Sequence, residues 1–114
     1  MRKNLSGAAA KIQTHAPIFA ALGDETRLHL VKKLIDGETH SISDLTEGSK
    51  VTRQAITKHL RVLQGVGLVE SVRSGRETLF ELNPQPLRDI QEYLDLVSSQ
   101  WDQALGRLKA FVEK

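Results

Sequence analysis

The chain contains no cysteine and no long hydrophobic run. Without cysteine, disulfides, thiolate metal sites and thiol redox sensing are excluded. No apolar segment approaches the roughly 20 residues that a membrane-spanning helix needs. The first three residues (MRK) resemble the start of a secretory signal, but Lys11, Gln13 and His15 interrupt the segment that follows. We therefore expect a cytoplasmic protein without a targeting or membrane segment.

A marked excess of one charge is also missing. The 16 Lys and Arg residues nearly balance the 14 Asp and Glu residues, giving a net charge of +2. The overall charge therefore says little about partners. Charge of one sign is instead concentrated in residues 48–68, which contain four basic residues and no acidic residue. Such a stretch is typical of a nucleic-acid contact.

Residues 52–63 (TRQAITKHLRVL) form the centre of that basic stretch. Helical spacing places Ile56, Leu60 and Leu63 on one face, and the opposite face is polar and cationic. Thr52 stands where the N-cap of this helix belongs. Arg, Gln and Lys on the first turns of such a helix can reach base edges in a major groove. Taken alone, the stretch could equally be a solvated surface helix.

Two helical patterns and a turn precede this stretch. A first helix is expected from a cap at Thr14 to Gly23, and a second from a cap at Asp24 to Gly37. The buried stripe of the second helix is predicted to comprise Leu28, Val31, Leu34 and Ile35. A third helix of about two turns is expected to open at Ser43, with a Gly-containing turn at residues 48–50. Two helices joined in this way predict a helix-turn-helix over about residues 43–64.

Two strand-like segments, residues 68–73 and 77–82, follow the helix-turn-helix. A turn at residues 74–76 joins them, so they predict a hairpin, the wing, over about residues 68–82. Arg73 and Arg76 flank its tip, where a guanidinium can enter a minor groove or hold a phosphate. Taken alone, this segment would be a surface hairpin with solubilising charges. Its position directly after the helix-turn-helix favours a wing.

A loop with two prolines separates the wing from a last helix at about residues 87–114. Apolar residues recur along this helix in steps of three and four, a heptad seam that packs against a partner helix. A small core cannot cover about seven turns, so a homodimer interface shared with the first helix is favoured over intramolecular packing. The residues predicted at this interface are Phe19, Leu87, Ile90, Leu94, Val97, Trp101, Leu105 and Leu108.

These elements predict a mostly α fold, a winged helix-turn-helix with five helices, a small β-hairpin and a long C-terminal dimerisation helix. Residues 1–13 are expected to be a flexible lead, and residues 14–114 a single DNA-binding domain. From residue 16 onward the chain resembles the ArsR/SmtB family of bacterial winged-helix repressors. The segments that carry the resemblance are FAALGDETRL (19–28), AITKHLRVL (55–63), GLV (67–69) and GR (75–76). The segment WDQALGRLK (101–109) further resembles a metal-independent branch of that family.

The resemblance implies a homodimeric repressor that binds an inverted-repeat, double-stranded DNA operator and blocks transcription. Such a repressor would be cytoplasmic, and nucleoid-associated when bound to DNA. The residues implied to reach base edges are Arg53, Gln54, Thr57 and Lys58. The residues implied to contact phosphates are Thr52, His59 and Arg61. The wing residues implied to lie in the flanking groove are Arg73 and Arg76.

The metal sites of the family are absent from the sequence. Its metal sensors carry cysteines at the start of the third helix, where this chain has SISDL (41–45), or Asp and His pairs on the last helix, which here has no histidine. We therefore predict no metal and no cofactor. An atypical metal site, for which His15 and His40 are the candidates, is the alternative. No effector, whether small molecule or protein, is identified by the sequence.

Two other classes of function compete with a DNA-binding regulator. A winged helix could serve as a protein-interaction dimer without binding DNA. The acid-free polar face of residues 52–63 argues against that, because protein interfaces have a more apolar centre. An enzyme is not expected, because the chain shows no nucleophile–base–acid arrangement, no phosphate-binding loop and no metal pattern.

Overall fold

The computed structural model describes residues 13–113, which form five helices and one small sheet. The helices are α1 (residues 13–22), α2 (Glu25–Leu34), α3 (Ile42–Thr46), α4 (Arg53–Gly65) and α5 (Gln85–Val112). The strands are β1 (His40–Ser41), β2 (Val69–Ser74) and β3 (Glu77–Leu82). This order confirms the predicted winged helix-turn-helix. Across the described residues, no helix is long and apolar enough to cross a membrane. The predicted flexible lead lies almost wholly outside them.

The start of α2 is fixed by its N-cap, as predicted. The Asp24 side chain accepts a hydrogen bond from the Arg27 backbone N–H at 3.0 Å. At the other end, Lys32 and Lys33 lie in the last turn, where positive charge stabilises the helix dipole. The cap predicted for α1 is wrong. Thr14 lies inside that helix, because residue 13 is already helical.

The first helix of the helix-turn-helix, α3, is shorter than the predicted two turns. Its cap is Ser41 rather than Ser43, because Ser41 and Asp44 form a reciprocal capping box. The Ser41 hydroxyl accepts from the Asp44 N–H at 3.1 Å, and the Asp44 carboxylate accepts from the Ser41 N–H at 3.3 Å. The buried anchor of this helix is Leu45.

The wing belongs to a three-stranded antiparallel sheet with strand order β1-β3-β2. The predicted hairpin is present, with Val69 opposite Leu82 and Ser74 opposite Glu77. A third strand was not predicted, because its two residues are too few to show an alternating pattern. This strand, β1, pairs His40 with Phe80 and joins the wing to the start of α3.

The core lies where α2, α3, α4 and the sheet meet. Its largest fully buried side chains are Leu30, Leu34, Leu45, Ile56, Leu60, Leu63 and Leu68. The stripe predicted for α2 is half wrong, because Leu28 and Ile35 are 51% and 68% exposed. The buried face of α2 is centred on Leu30, Val31 and Leu34. Leu28 and Ile35 lie roughly 100° around the helix from that centre.

The end of α4 redirects the chain into the wing through a Schellman motif. The Leu68 N–H donates to the Leu63 carbonyl at 3.0 Å, and the Gly67 N–H donates to the Gln64 carbonyl at 3.0 Å. Gly67 has a φ of +79°, which only glycine adopts at little cost. Leu63 and Leu68, the two apolar residues that flank this motif, are both fully buried. The wing therefore starts from a rigid junction.

We predict opposite effects for alanine at two neighbouring glycines. Gly67→Ala should lower the free energy of unfolding by about 1–2 kcal/mol, because an L side chain is strained at positive φ. Gly65→Ala should raise it by up to about 1 kcal/mol, because Gly65 is helical and a Cβ there meets no atom within 4 Å.

Urea unfolding of the two variants and the wild type measures both effects. Equal midpoints for Gly65→Ala and Gly67→Ala would contradict the assignment of Gly67 as the left-handed helix stop.

Candidate nucleic-acid interface

The orientation of α4 is set by its two faces and by its cap. Ile56, Leu60 and Leu63 are at most 1% exposed, so one face of the helix is fixed in the core. The Thr52 hydroxyl accepts from the Ala55 N–H at 3.1 Å, which starts the helix as predicted. The opposite face consequently points away from the protein.

The outward face of α4 presents long polar side chains. Arg53, Gln54, Lys58 and Arg61 are all exposed. Within residues 13–113, none of these four side chains forms a hydrogen bond or an ion pair. Thr57 is half-buried, and its hydroxyl donates to the Arg53 carbonyl at 2.8 Å. Thr57 therefore keeps only acceptor capacity for a base, whereas the other four can act as donors.

An acidic neighbour of Arg53 was not foreseen. Arg53 lines an open cleft of about 370 Å³ together with Asp44 and Glu47 of the preceding helix and turn. Neither carboxylate forms an ion pair with it among the described residues. The Arg53 guanidinium therefore remains available for the base-reading role predicted for it.

A lysine outside the predicted set holds α3 in place beside α4. The Lys33 ammonium of α2 donates to the carbonyls of Leu45 and Glu47, both at 3.1 Å. These carbonyls lie at the C-terminal end of α3, where a cation satisfies the free acceptors. This role of Lys33 was not predicted from the sequence. No local pattern pairs it with residues 12 and 14 positions ahead.

His59 differs from the other predicted DNA-binding residues because its ring has a partner on a different helix. Its side chain is only 24% exposed, and its Nδ1 atom lies 3.1 Å from an Nη1 atom of Arg27. The Arg27 Nε–H also donates to the Ala21 carbonyl at 2.6 Å. Arg27 thus links the end of α1 to α4. Sequence reasoning missed this contact, because 32 positions separate the two side chains.

A carboxylate lies beside this pair and has an altered pKa. The pKa of Asp24 is lowered below its ordinary value, mainly by the hydrogen bond from the Arg27 backbone N–H. The nearby charge of the Arg27 side chain lowers the pKa further. Asp24 Oδ2 is 3.8 Å from His59 Nδ1, which is beyond hydrogen-bond distance. The carboxylate therefore caps α2 and contributes negative charge beneath α4.

The wing places both predicted arginines at its tip. Gly75 has a φ of +62° and Arg76 has a negative φ, the pattern of a type II′ hairpin turn. Arg73 and Arg76 are both exposed. The Arg73 Nε–H makes a long contact of 3.4 Å to the Gly75 carbonyl, which leaves its terminal nitrogens available. The wing can therefore present two guanidinium groups at its tip.

The residues predicted for the dimer interface divide into two groups. Ile90 is buried, and Phe19 and Leu87 pack against the core, so these three serve the fold of one chain. Tyr93 lies with its ring centroid 5.3 Å from that of His15 and 6.3 Å from that of Phe19, which docks the first half of α5 on α1. Val97 is half-buried. The remaining residues of the set are exposed, namely Leu94 (47%), Trp101 (64%), Leu105 (56%) and Leu108 (59%).

The histidines considered for an atypical metal site have other surroundings. His40 Nε2 lies 2.9 Å from an Asp36 carboxylate oxygen, and His15 is buried against Tyr93. In the described part of the chain, no three His, Asp or Glu side chains come close enough to hold a metal ion. That finding covers residues 13–113 and leaves the no-metal prediction as a prediction.

Comparison with known proteins identifies the class to which this fold and polar face belong. Residues 22–72 match the helix-turn-helix domain family. The chain is 38% identical over 79 residues to the HTH-type transcriptional regulator YuzN of Bacillus subtilis, covering 64% of this chain and 86% of that protein. The chain is thus a helix-turn-helix transcriptional regulator.

Two solved structures are similar to this chain. An ArsR-like transcriptional regulator from Rhodococcus sp. RHA1 superposes with a TM-score of 0.79 at 38% identity, covering 95% of each chain. A homodimeric winged helix-turn-helix DNA-binding domain from Mycobacterium bovis, at 22% identity, shares the fold with a TM-score of 0.61 over 86% of this chain and 87% of that one. This chain belongs to the ArsR/SmtB family of DNA-binding transcriptional regulators, which are not enzymes.

We predict that Asp24 makes the fold sensitive to acid. Because its folded-state pKa lies below the ordinary value of 3.8, its stabilisation is complete above that pH and is lost as the pH falls through the folded value. Asp24→Asn keeps a capping oxygen but cannot ionise. The variant should therefore lose less stability than the wild type between about pH 6 and about pH 3.

Urea midpoints at the two pH values measure the difference. Asp102→Asn, which removes an exposed carboxylate of α5, is the control for the loss of one charge. Identical acid losses in the wild type and Asp24→Asn would contradict the link between Asp24 and acid stability.

Proposed function

We propose that this regulator is a homodimeric repressor that binds an inverted-repeat operator and blocks transcription by occupying it. The observation that carries the proposal is the outward face of α4, where four long polar side chains have no internal partner within residues 13–113. A helix whose first turns carry Arg and Gln can read base edges in the major groove. The acid-free polar surface of α4 also suits the phosphate backbone.

Base reading is assigned to the first turns of α4. Arg53 and Gln54 can each make bidentate contacts, to guanine and adenine respectively. Lys58 lies one turn further along the same exposed face, and Thr57 can only accept a hydrogen bond from a base. The helix must therefore enter the groove with its N-terminal end first, as recognition helices of this class do.

Phosphate contacts are assigned to the edges of this surface. Arg61 lies two turns from Arg53 on α4, and Arg73 and Arg76 extend the positive surface along the wing. Thr52 stands at the helix N-terminus, where backbone N–H groups and the dipole favour an anion. Phosphate contacts fix the register on the duplex, and base contacts then select the sequence.

Dimerisation is supported by the exposed apolar half of α5. This helix has 28 residues, which corresponds to a length of about 42 Å, and only Ile90 is buried among them in a single chain. Trp101, Leu105 and Leu108 continue the seam in the open, and monomeric proteins rarely expose such a continuous apolar surface. The Mycobacterium bovis domain that shares this fold is homodimeric.

A two-fold symmetric dimer would determine the spacing of the two half-sites in the operator. Paired recognition helices of this class lie roughly 34–36 Å apart, which is one turn of B-DNA, so the operator repeats must match that spacing. We place the protein in the cytoplasm, associated with the nucleoid while bound. The proposal needs no metal and no cofactor.

Arg53→Ala should weaken binding to the operator by about 1–3 kcal/mol per subunit, because each subunit loses a bidentate base contact. Binding to a scrambled duplex should change much less. Fluorescence anisotropy with both duplexes measures the two losses. Arg107→Ala removes the same charge from an exposed position on α5 and should leave both affinities unchanged. Equal losses on both duplexes would rule out a base-reading role for Arg53.

Arg76→Ala should weaken binding to every duplex alike. Each phosphate contact contributes a slope of about 0.9 in log K against log salt, so a dimer should lose about 1.8 of its slope. Anisotropy titrations at several salt concentrations measure this slope. Retention of the wild-type slope would argue against a wing contact with DNA, and Arg107→Ala again controls for charge.

Leu105→Glu should convert the dimer to a monomer. Burying an unpaired carboxylate costs at least about 3 kcal/mol, so self-association should weaken by about 100-fold or more. Sedimentation equilibrium measures the change, and the single tryptophan, Trp101, reports on burial of the seam. Ser99→Glu adds the same charge to an exposed position off the seam and should remain dimeric. A dimeric Leu105→Glu would show that the subunits associate elsewhere.

A further inference from the structure

A polar contact beneath the recognition helix carries an inference about the proton on His59. The Arg27 Nη1 atom lies 3.1 Å from His59 Nδ1. A guanidinium has donors only and stays protonated in proteins. The ring nitrogen that faces it must therefore accept, so Nδ1 carries no proton.

Asp24 does not compete for this nitrogen in the folded structure. Its nearer oxygen, Oδ2, lies 3.8 Å from His59 Nδ1 and already accepts from the Arg27 backbone N–H at 3.0 Å. A proton on Nδ1 would face the guanidinium at 3.1 Å and would have only this distant acceptor. Arg27 therefore selects the tautomer of the neutral ring that carries its proton on Nε2.

The Nε2–H group of His59 remains available to an outside acceptor. The ring is 24% exposed, and within residues 13–113 its Nε2 atom has no hydrogen-bond partner. His59 Nε2 is also not fully buried. In residues 13–113, the side-chain nitrogen or oxygen that is fully buried without a hydrogen-bond partner is His15 Nδ1, not His59 Nε2. A fixed N–H group on α4 that is reachable from outside the protein can donate to a phosphate oxygen.

We propose that Arg27 is a positioning residue for DNA binding: it holds His59 as the Nε2–H tautomer and thereby makes the ring a fixed donor to a DNA phosphate. The phosphate contact rests on the proposed function, whereas the tautomer does not. The second hydrogen bond of Arg27, from Nε to the Ala21 carbonyl at 2.6 Å, prevents the guanidinium from following a displaced ring. The end of α1 thus supports a DNA-facing group on α4.

Lysine cannot replace arginine in this arrangement. Arg27 bonds two acceptors on different helices through two nitrogens held in one plane, Nε to Ala21 and Nη1 to His59. A lysine ammonium is a single point on a flexible stem. Arg27→Lys keeps the positive charge and removes the pair of coplanar N–H donors. The variant therefore distinguishes the effect of the two hydrogen bonds from the effect of the charge.

The first test determines the tautomer without DNA. Long-range proton–nitrogen correlation spectra of the nitrogen-15-labelled protein at mildly alkaline pH distinguish the protonated ring nitrogen from the bare one. His59→Gln assigns the His59 signals among the four histidines. The wild type should show a bare Nδ1 and a protonated Nε2.

Arg27→Ala and Arg27→Lys should shift His59 toward the Nδ1–H form, because Asp24 becomes the nearest acceptor. The exposed His29 should not change in either variant. A protonated Nδ1 in the wild type, or an unchanged tautomer in both variants, would overturn the positioning role.

The second test is a double-mutant cycle on operator affinity. Arg27→Ala and His59→Ala should each weaken binding about tenfold, since a hydrogen bond to a charged oxygen is lost. In the His59→Ala background, Arg27→Ala should cost less than about twofold. A full loss in both backgrounds would show that Arg27 acts through the fold alone. Circular dichroism verifies that each variant is folded before its affinity is measured.

The two tests can refute the proposed function and the role of Arg27 separately. If the wild type binds no DNA while His59 shows the predicted tautomer, the proposed function is wrong and Arg27 still positions the ring. If DNA binds tightly and the affinities do not couple, the regulator stands and the role of Arg27 in DNA binding is wrong.

Discussion

The anchoring of α4 by its apolar face is the constraint on which the rest of the structure depends. Ile56, Leu60 and Leu63 are at most 1% exposed, and truncating one such side chain to alanine typically costs about 2–5 kcal/mol. That burial fixes the rotation of the helix about its own axis. The basic face can then point outward without any contact of its own. The surface proposed to bind DNA is in this sense a consequence of the core.

Polar contacts refine what the core fixes. Lys33 ties α2 to the end of α3, and Arg27 ties the end of α1 to His59 on α4. A Schellman motif with Gly67 at positive φ joins the end of α4 to the wing. Each contact joins two elements by hydrogen bonds, which have a defined direction that apolar packing lacks. Together they connect α1, α2, α3 and the wing to one another and to α4.

Sequence periodicity predicted the parts of the fold that local rules control. The cap at Thr52, the buried Ile56, Leu60 and Leu63, and the wing hairpin follow from helix spacing, capping chemistry and turn residues. One error was local, because the capping box of Ser41 and Asp44 was missed at the start of α3. The error in α2 arose from tertiary packing, which buries Leu30 and leaves Leu28 and Ile35 exposed.

In the candidate site, the sequence predicted which side chains are exposed. It did not predict which side chains contact residues far away in the chain. Arg53, Gln54, Lys58 and Arg61 lie where helix geometry puts them. The partners of His59 and Lys33 depend on contacts across 32 and 12 positions, which no local pattern encodes. The same reason explains why part of the predicted dimer seam serves the core. Whether Ile90 meets its own chain or a second copy depends on where α1 docks.

The most direct test of the central claim is a fluorescence-anisotropy titration of the protein against the DNA upstream of its own gene and against a scrambled duplex, each at two salt concentrations. The account predicts tighter, saturable binding to the upstream DNA, two subunits per site and a steep loss of affinity with salt. Absence of binding to either duplex at low salt would contradict it and would favour a winged helix that serves only protein association.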